Sequence, residues 1–376
     1  MPSMQKILSS AAIKAALTQQ GWTQKQLAEN IGVTPQAVTN WMKGADFPRP
    51  DKLLKLATAF RLSFAELVEP RKDAPVVAFR KKAATKTTDA HRLKAMAMGE
   101  MLRPLVSYMP KLKALRTKIP APSLAYEPLQ NAVKEVRRKL GIGVEAPLDY
   151  QHIISEFDAN DAVIIPSMWG SKVRHENALH ILLPVEQVTF IYLNLDTYIE
   201  DFKFWMAHEL AHVYTPELAG TDDGEDFADA FAGALLFPRD VASQAYSSAL
   251  KKHTQVSELA VLQQYANQHQ ISLFTVYCEV SKYSEAMKLP PLKTDDKQVH
   301  IARNSKRGDL VSEILFKPLP PDPIMLITSA QTVFKSNFFD AMRLMLREKG
   351  TGAGYVQQVL DLSIADGAAL HAELIR

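Results

Sequence analysis

The chain has 376 residues, of which 47% are apolar and 23% charged, with a formal net charge of +3. This balance points to a globular protein of two or three domains and excludes a disordered or fibrous chain. A single cysteine, Cys278, excludes an internal disulfide framework and a cysteine-based zinc cluster. With no apolar run of about 18 residues and no signal-peptide core, a cytoplasmic protein with no membrane part is expected.

From Ser9 to Leu67 the pattern is a series of short amphipathic helices with legible caps. Thr23 and Gln26 form a capping box that opens a helix with Leu27, Ala28 and Ile31 on one face. Gly32 supplies a left-handed turn, Thr34 an N-cap and Pro35 a first helical residue, starting a second helix through Lys43. Val33, Val38 and Trp41 face back onto the first helix, and Gly44 ends the second. A further helix runs from Asp51 to Phe60, and Ser63 with Glu66 makes another capping box.

Two short helices joined by a glycine turn have helix-turn-helix geometry, and Ala28 is small enough to let them cross closely. The second helix then shows solvent Gln36, Thr39, Asn40 and Lys43, with Thr34 at its start and Gln24 opening the helix before it. Amides can bond adenine edges, lysine can reach guanine or phosphate, and Gln24 is placed for a phosphate. The alternative use of such a bundle is protein contact. Residues 1–70 resemble the lambda-repressor and Cro (XRE-family) type of five-helix DNA-binding domain. That resemblance implies a double-stranded DNA operator gripped by a homodimer.

Between Arg71 and Lys118 thirteen Lys or Arg stand against three acids, Asp73, Asp89 and Glu100, densest at Arg80-Lys81-Lys82. Residues 71–120 read as a basic linker or helical arm, either tracking phosphates or simply solvated. A helix is expected around His91 to Leu105, and prolines suggest a boundary near 120. Leu124 to Leu140 reads as a helix. Strand-like pieces follow at Ala162–Ile165, Leu179–Leu183 and Val188–Leu193, suggesting a small antiparallel sheet on a helical half.

A helix from about Ile199 to Val213 carries His208-Glu209-Leu210-Ala211-His212. The i, i+4 spacing puts both imidazoles on one face, where they can hold one metal ion, with Glu209 beside it as general base. A catalytic zinc site needs a third protein ligand. Glu225 opens a second helix that ends at Pro238, and it shares a face with Asp229 and Ala232. Glu225 can complete a His2Glu set, with Asp222, Asp223 and Asp226 as second choices. Asp229 can accept the outer N–H of a ligand histidine.

The stretch Phe204-Trp205-Met206-Ala207-His208-Glu209-Leu210-Ala211-His212, followed by Glu225-x-x-Ala228-Asp229-x-Phe231-Ala232-x-x-Leu235-Leu236-x-Pro238, resembles the ImmA/IrrE family of zinc metallopeptidases. Asn194 resembles the family's strand-end asparagine. Ala211 and Asp229 depart from the family's usual glycine and asparagine without removing a ligand. The resemblance spans about 125–290 and implies Zn2+ as cofactor, an α+β zincin-like domain at 121–290, and hydrolysis of a protein substrate. Such members resemble regulators that cleave a repressor or antitoxin-like protein, or the chain itself. Tyr214, His175 and His180 are candidates for holding the oxyanion or substrate.

Val256–Gln268 and Leu273–Tyr283 read as helices that pack on or cover the peptidase. Residues 291–376 read as a separate α/β tail, strand-like at Ile324–Ile327 and helical at Ser336–Arg347 and Gly354–Leu374. The fold expected is mainly α with a small β-sheet. The function expected is a DNA-tethered zinc endopeptidase. Its alternatives are a transcription factor with a non-hydrolytic zinc sensor and a toxin–antitoxin style binding module.

Overall fold

The computed structural model describes residues 6–70, 73–78, 89–110, 116–169, 177–305 and 307–376. The chain forms two compact units, Met1–Pro75 and Val76–Arg376, and is mainly helical with two small sheets. No helix among the described residues is long and apolar enough to cross a membrane.

In the first unit, five helices fold between two short strands, β1 (Lys6–Leu8) and β2 (Val68–Pro70). The helices are α1 (Ser10–Gln20), α2 (Gln24–Ile31), α3 (Pro35–Met42), α4 (Pro50–Phe60) and α5 (Phe64–Leu67). The antiparallel β1–β2 pair was not expected of an all-helical unit. The caps form as the residues dictate. Gln26 N donates to Thr23 Oγ1 at 3.2 Å and Thr23 N donates to Gln26 Oε1 at 2.8 Å. Gly32 turns the chain at φ 70°, which lets α3 start immediately on its Thr34 cap. Leu27, Ala28, Ile31, Val38, Trp41 and Leu56 are buried in one core. Burying each large apolar side chain contributes about 1.5–3 kcal/mol.

The second unit is built around a four-stranded sheet of β3 (Val76–Ala78), β4 (Ala162–Ser167), β5 (Ala178–Leu183) and β6 (Val188–Asn194). Their order is β3-β5-β6-β4. The sheet is mixed rather than antiparallel, since β4 runs parallel to β6. The parallel pair arises because the chain leaves β4 at one edge, enters β5 and returns by a hairpin into the centre. Every residue of β5 and β6 is buried, which explains their poor alternation and means that both faces are covered.

Around this sheet pack α6 (Asp89–Leu102), α7 (Tyr126–Lys139), α8 (Tyr150–Ala159), α9 (Ile199–Tyr214) and α10 (Asp222–Leu236). Then come α11 (Arg239–Leu250), α12 (Gln255–His269), α13 (Leu273–Ala286), α14 (Asp296–Ser305) and α15 (Val311–Leu315). The chain ends in α16 (Pro323–Thr332), α17 (Phe338–Lys349), α18 (Ala353–Leu360) and α19 (Ile364–Ile375). Helix α9 lies against β5 and β6, and α10 packs along α9. The alanine-rich face of α10 allows this: Ala228, Ala232, Ala234 and Leu235 are fully buried. At Gly233 the approach is closer still, since an added Cβ would stand 2.2 Å from Glu279 Oε1 on α13.

Three expectations are corrected. Within 71–120 the helix expected around His91 to Leu105 forms as α6, but it packs on β3 and β5 rather than standing as an arm, and β3 joins the sheet; Arg80, Lys81 and Lys82 lie outside the described residues. Residues 291–376 are not a separate α/β tail. They belong to the second unit, and Ile324–Ile327 lies in α16, where Pro323 takes the first helical turn. The tail is bound to the sheet because Tyr192 Oη donates to Val359 O at 2.8 Å and Trp169 Nε1 to Leu360 O at 3.1 Å. Finally, the long helix expected over Gly354–Leu374 breaks at Asp361, which has φ 52°, and Ser363 caps a new helix.

Candidate metal centre and DNA-facing helix

The candidate metal site is assembled by one helix pair. His208 and His212 sit one turn apart on the buried face of α9, and Glu225 projects from the first turn of α10. That turn is held by Thr221, whose Oγ1 accepts from Gly224 N at 3.0 Å. Gly224 has to be small, since a Cβ there would stand 2.1 Å from Leu218 O. Glu225 is thereby delivered to the histidines by a cap and a close backbone approach. His208, His212 and Glu225 are the group able to hold a metal ion among the described residues.

The donor triangle can be tested for fit. His208 Nε2 to His212 Nε2 is 3.2 Å, His212 Nε2 to Glu225 Oε1 is 3.4 Å, and His208 Nε2 to Glu225 Oε2 is 3.5 Å. Ligands about 2.0–2.1 Å from a tetrahedral zinc stand about 3.4 Å apart. Both Glu225 oxygens are buried with no hydrogen-bond partner among the described residues, an arrangement that is unfavourable unless a cation completes it. The residues fit a zinc ion.

Protonation follows the same logic. Nδ1 of His208 lies 2.9 Å from Asp229 Oδ1, so its N–H points outward and Nε2 faces the triangle. Burial favours the neutral His208 ring. The Asp229 hydrogen bond and the Glu225 and Glu209 carboxylates outweigh it and push His208 up to about 9. His212 is held well below its usual value by burial and by the His208 and His180 rings. Burial raises the Glu225 carboxyl, opposed by His208.

Glu209 points from α9 toward β5, where His180 Nδ1 stands 3.4 Å from its Oε2. His180 is fully buried and its ring lies 5.3 Å from that of His212. Tyr214 is not brought to the site. Its hydroxyl donates to Glu156 Oε2 at 2.7 Å, on the α8 side of the helix, and its ring packs on Phe231. Two residues beyond His212, it lies about 200° further around α9, away from the histidine face. His175 lies outside the described residues. Asp222, Asp223 and Asp226 are exposed and outside the donor group. Asn194 ends β6 and turns the chain toward α9: its Oδ1 accepts from Asp196 N at 3.1 Å. The sequence reading missed β3, whose three residues are hidden in a basic stretch.

In the first unit, Gln24, Thr34, Gln36 and Lys43 are exposed, and Thr39 and Asn40 are half-buried on the same side of α3. Gln36 Nε2 donates to Asn40 Oδ1 at 2.8 Å, and Thr39 Oγ1 reaches Gln24 Oε1 at 3.5 Å. The first pair pre-orients an amide edge, and the second links α3 to the start of α2. Thr34 Oγ1 accepts from Ala37 N at 3.2 Å, which accounts for the hydroxyl by capping.

Residues 13–67 match the family described as Helix-turn-helix. No curated protein and no solved structure matches the chain.

Proposed function

We propose that the chain is a DNA-binding transcription regulator, its first unit carrying a helix-turn-helix of the DNA-binding kind. We propose that its second unit is a zinc-dependent endopeptidase of the ImmA/IrrE kind. On this reading the enzyme cuts a repressor or antitoxin-like regulator, or itself, and binds its operator as a homodimer. The observation that carries the reading is the donor triangle of His208, His212 and Glu225, with edges of 3.2 to 3.5 Å beside Glu209.

Zinc held by these three residues supplies Lewis acidity at neutral pH. Glu209 takes the proton of the attacking water as its oxygen bonds to the peptide carbonyl carbon. The same carboxyl then hands that proton to the departing amine as the C–N bond breaks. Asp229 fixes the His208 ring with Nε2 inward, and Glu209 and Glu225 are buried beside it.

The test compares the zinc-loaded chain with Glu209→Gln on a candidate repressor, with metal content measured for both. We expect one zinc in each and a loss of cleavage of about 10²–10⁴-fold in the variant. Equal cleavage by both would sink the proposal. Operator binding unchanged in Glu209→Gln, with no proteolysis by either form, would favour a non-hydrolytic sensor. A cavity of about 440 Å³ at the start of α9, lined by Tyr198, Glu200, Asp201, Asn267, Arg303 and Arg307, gives that second reading a place for a ligand.

A further inference from the structure

Strand β3 follows directly on the helix-turn-helix unit, and it lies antiparallel along the outer edge of β5. Val76 stands opposite Leu182, Val77 opposite Ile181 and Ala78 opposite His180. Without β3, β5 would be an edge strand with unpaired backbone N–H and C=O groups. That edge would run beside the centre, because His180 is the β5 residue that meets Glu209 at 3.4 Å. Adding an extended peptide to an open sheet edge is a general way to hold its backbone. Here the chain holds its own segment there.

The opposite side of β3 is covered by the loop that leads into α10. An added Cβ on Gly220, at φ +75°, would stand 2.9 Å from Val77 O. Arg92 of α6 donates to Gly220 O at 3.3 Å and braces the same loop. The next residue, Thr221, caps the helix that delivers Glu225. So β3 is wedged between the strand that touches the base and the loop that precedes the third ligand. Ala78, opposite His180 on the same sheet face, is buried at 3% exposure. Among the described residues β3 has three, fewer than a usual strand, so these supply few ladder hydrogen bonds against its release.

We propose that β3 is an intramolecular plug: Val76–Ala78 occupies the β5 edge in place of the extended peptide on which the metal centre acts. Its departure opens the site to other peptides. The proposal rests on the peptidase reading above, and a binding assay separates the two, since it needs no hydrolysis.

The probe is a fluorescein-labelled peptide of residues 73–78, titrated by anisotropy into the full-length, zinc-supplemented chain carrying Glu209→Gln. The tethered strand competes at an effective concentration of about millimolar, so that chain should bind the probe weakly. Val77 O faces Gly220, which leaves the backbone groups of Val76 and Ala78 to pair with β5. Ala78→Pro removes one paired N–H, and Val77→Asp places a charge at a buried position. Each should tighten probe binding at least tenfold while the melting transition remains cooperative. A Val77→Cys, Ile181→Cys pair joins facing residues; oxidised, it should abolish binding seen at millimolar probe, and reduction should restore it. Folded Ala78→Pro and Val77→Asp chains that bind no better than the parent would overturn the plug. Should both variants unfold, undiminished binding by the oxidised cysteine pair would overturn it.

Discussion

His180 on β5 and Glu209 on α9 stand 3.4 Å apart between Nδ1 and Oε2, both buried, where the sheet meets the helix that carries the candidate metal ligands. The imidazole borders the Glu209 carboxylate on its sheet side. His180→Ala should lower peptide turnover about tenfold or more, since a small misplacement of a catalytic group is costly, with zinc content and KM little changed. Loss of zinc from this variant would instead make His180 part of the metal-holding set.

On the proposed reading, Asp229 would act on the metal through the His208 ring, whose Nδ1 lies 2.9 Å from its Oδ1. An asparagine can still accept the Nδ1 proton through its side-chain oxygen, whereas alanine cannot. Asp229→Ala should weaken zinc affinity about 10–100-fold, and Asp229→Asn much less. Competition with a fluorescent zinc chelator measures both, and equal losses would contradict the hydrogen-bond account.

The amide pair of Gln36 and Asn40 and the charge of Lys43 should separate in DNA binding. Asn40→Ala should weaken operator binding by about 1–3 kcal/mol and leave the salt dependence unchanged. Lys43→Ala should weaken binding to all sequences and reduce the salt slope by about one. Mobility-shift titrations at several salt concentrations distinguish the two, and identical slopes for Lys43→Ala and the parent would remove Lys43 from the phosphate contacts.

His269 is buried, its ring edge-on to Phe237 at 5.2 Å. Burial, reinforced by the Arg137 and Lys203 charges, lowers its pKa to about 4. Between that value and the ordinary 6.5 the unfolded chain binds the proton and the folded chain does not. Stability should therefore fall as pH drops through this window, by up to about 3 kcal/mol from this group. Urea unfolding of His269→Phe at pH 7 and pH 4.5 should show a smaller loss than the parent. Parallel losses would assign the acid sensitivity elsewhere.

Local chemistry carried much of the fold. Thr23, Thr34 and Ser63 cap where their side chains can accept backbone N–H groups, and Gly32 turns where only a residue without Cβ is unstrained. The helical spacing of His208 and His212 likewise places two donors on one face before any tertiary contact forms. The identity of the helix-turn-helix was legible for the same reason: its elements are short, capped and contiguous.

Other features depend on contacts between distant segments, which no local pattern encodes. Tyr214 and His180 looked equivalent as candidates, yet the turn of α9 sends one to Glu156 and the pairing of β5 brings the other to Glu209. The all-helical tail reads as a domain of its own until Val359 and Leu360 accept hydrogen bonds from Tyr192 and Trp169. The strand Val76–Ala78 is set by the open edge of β5, not by its own composition. The sequence by itself determined the caps, the two histidines and the DNA-facing helix, because those rest on side chains a few residues apart. Only the tertiary structure decided what faces Glu209 and what fills the sheet edge, because edge pairing and burial exist only once remote segments meet.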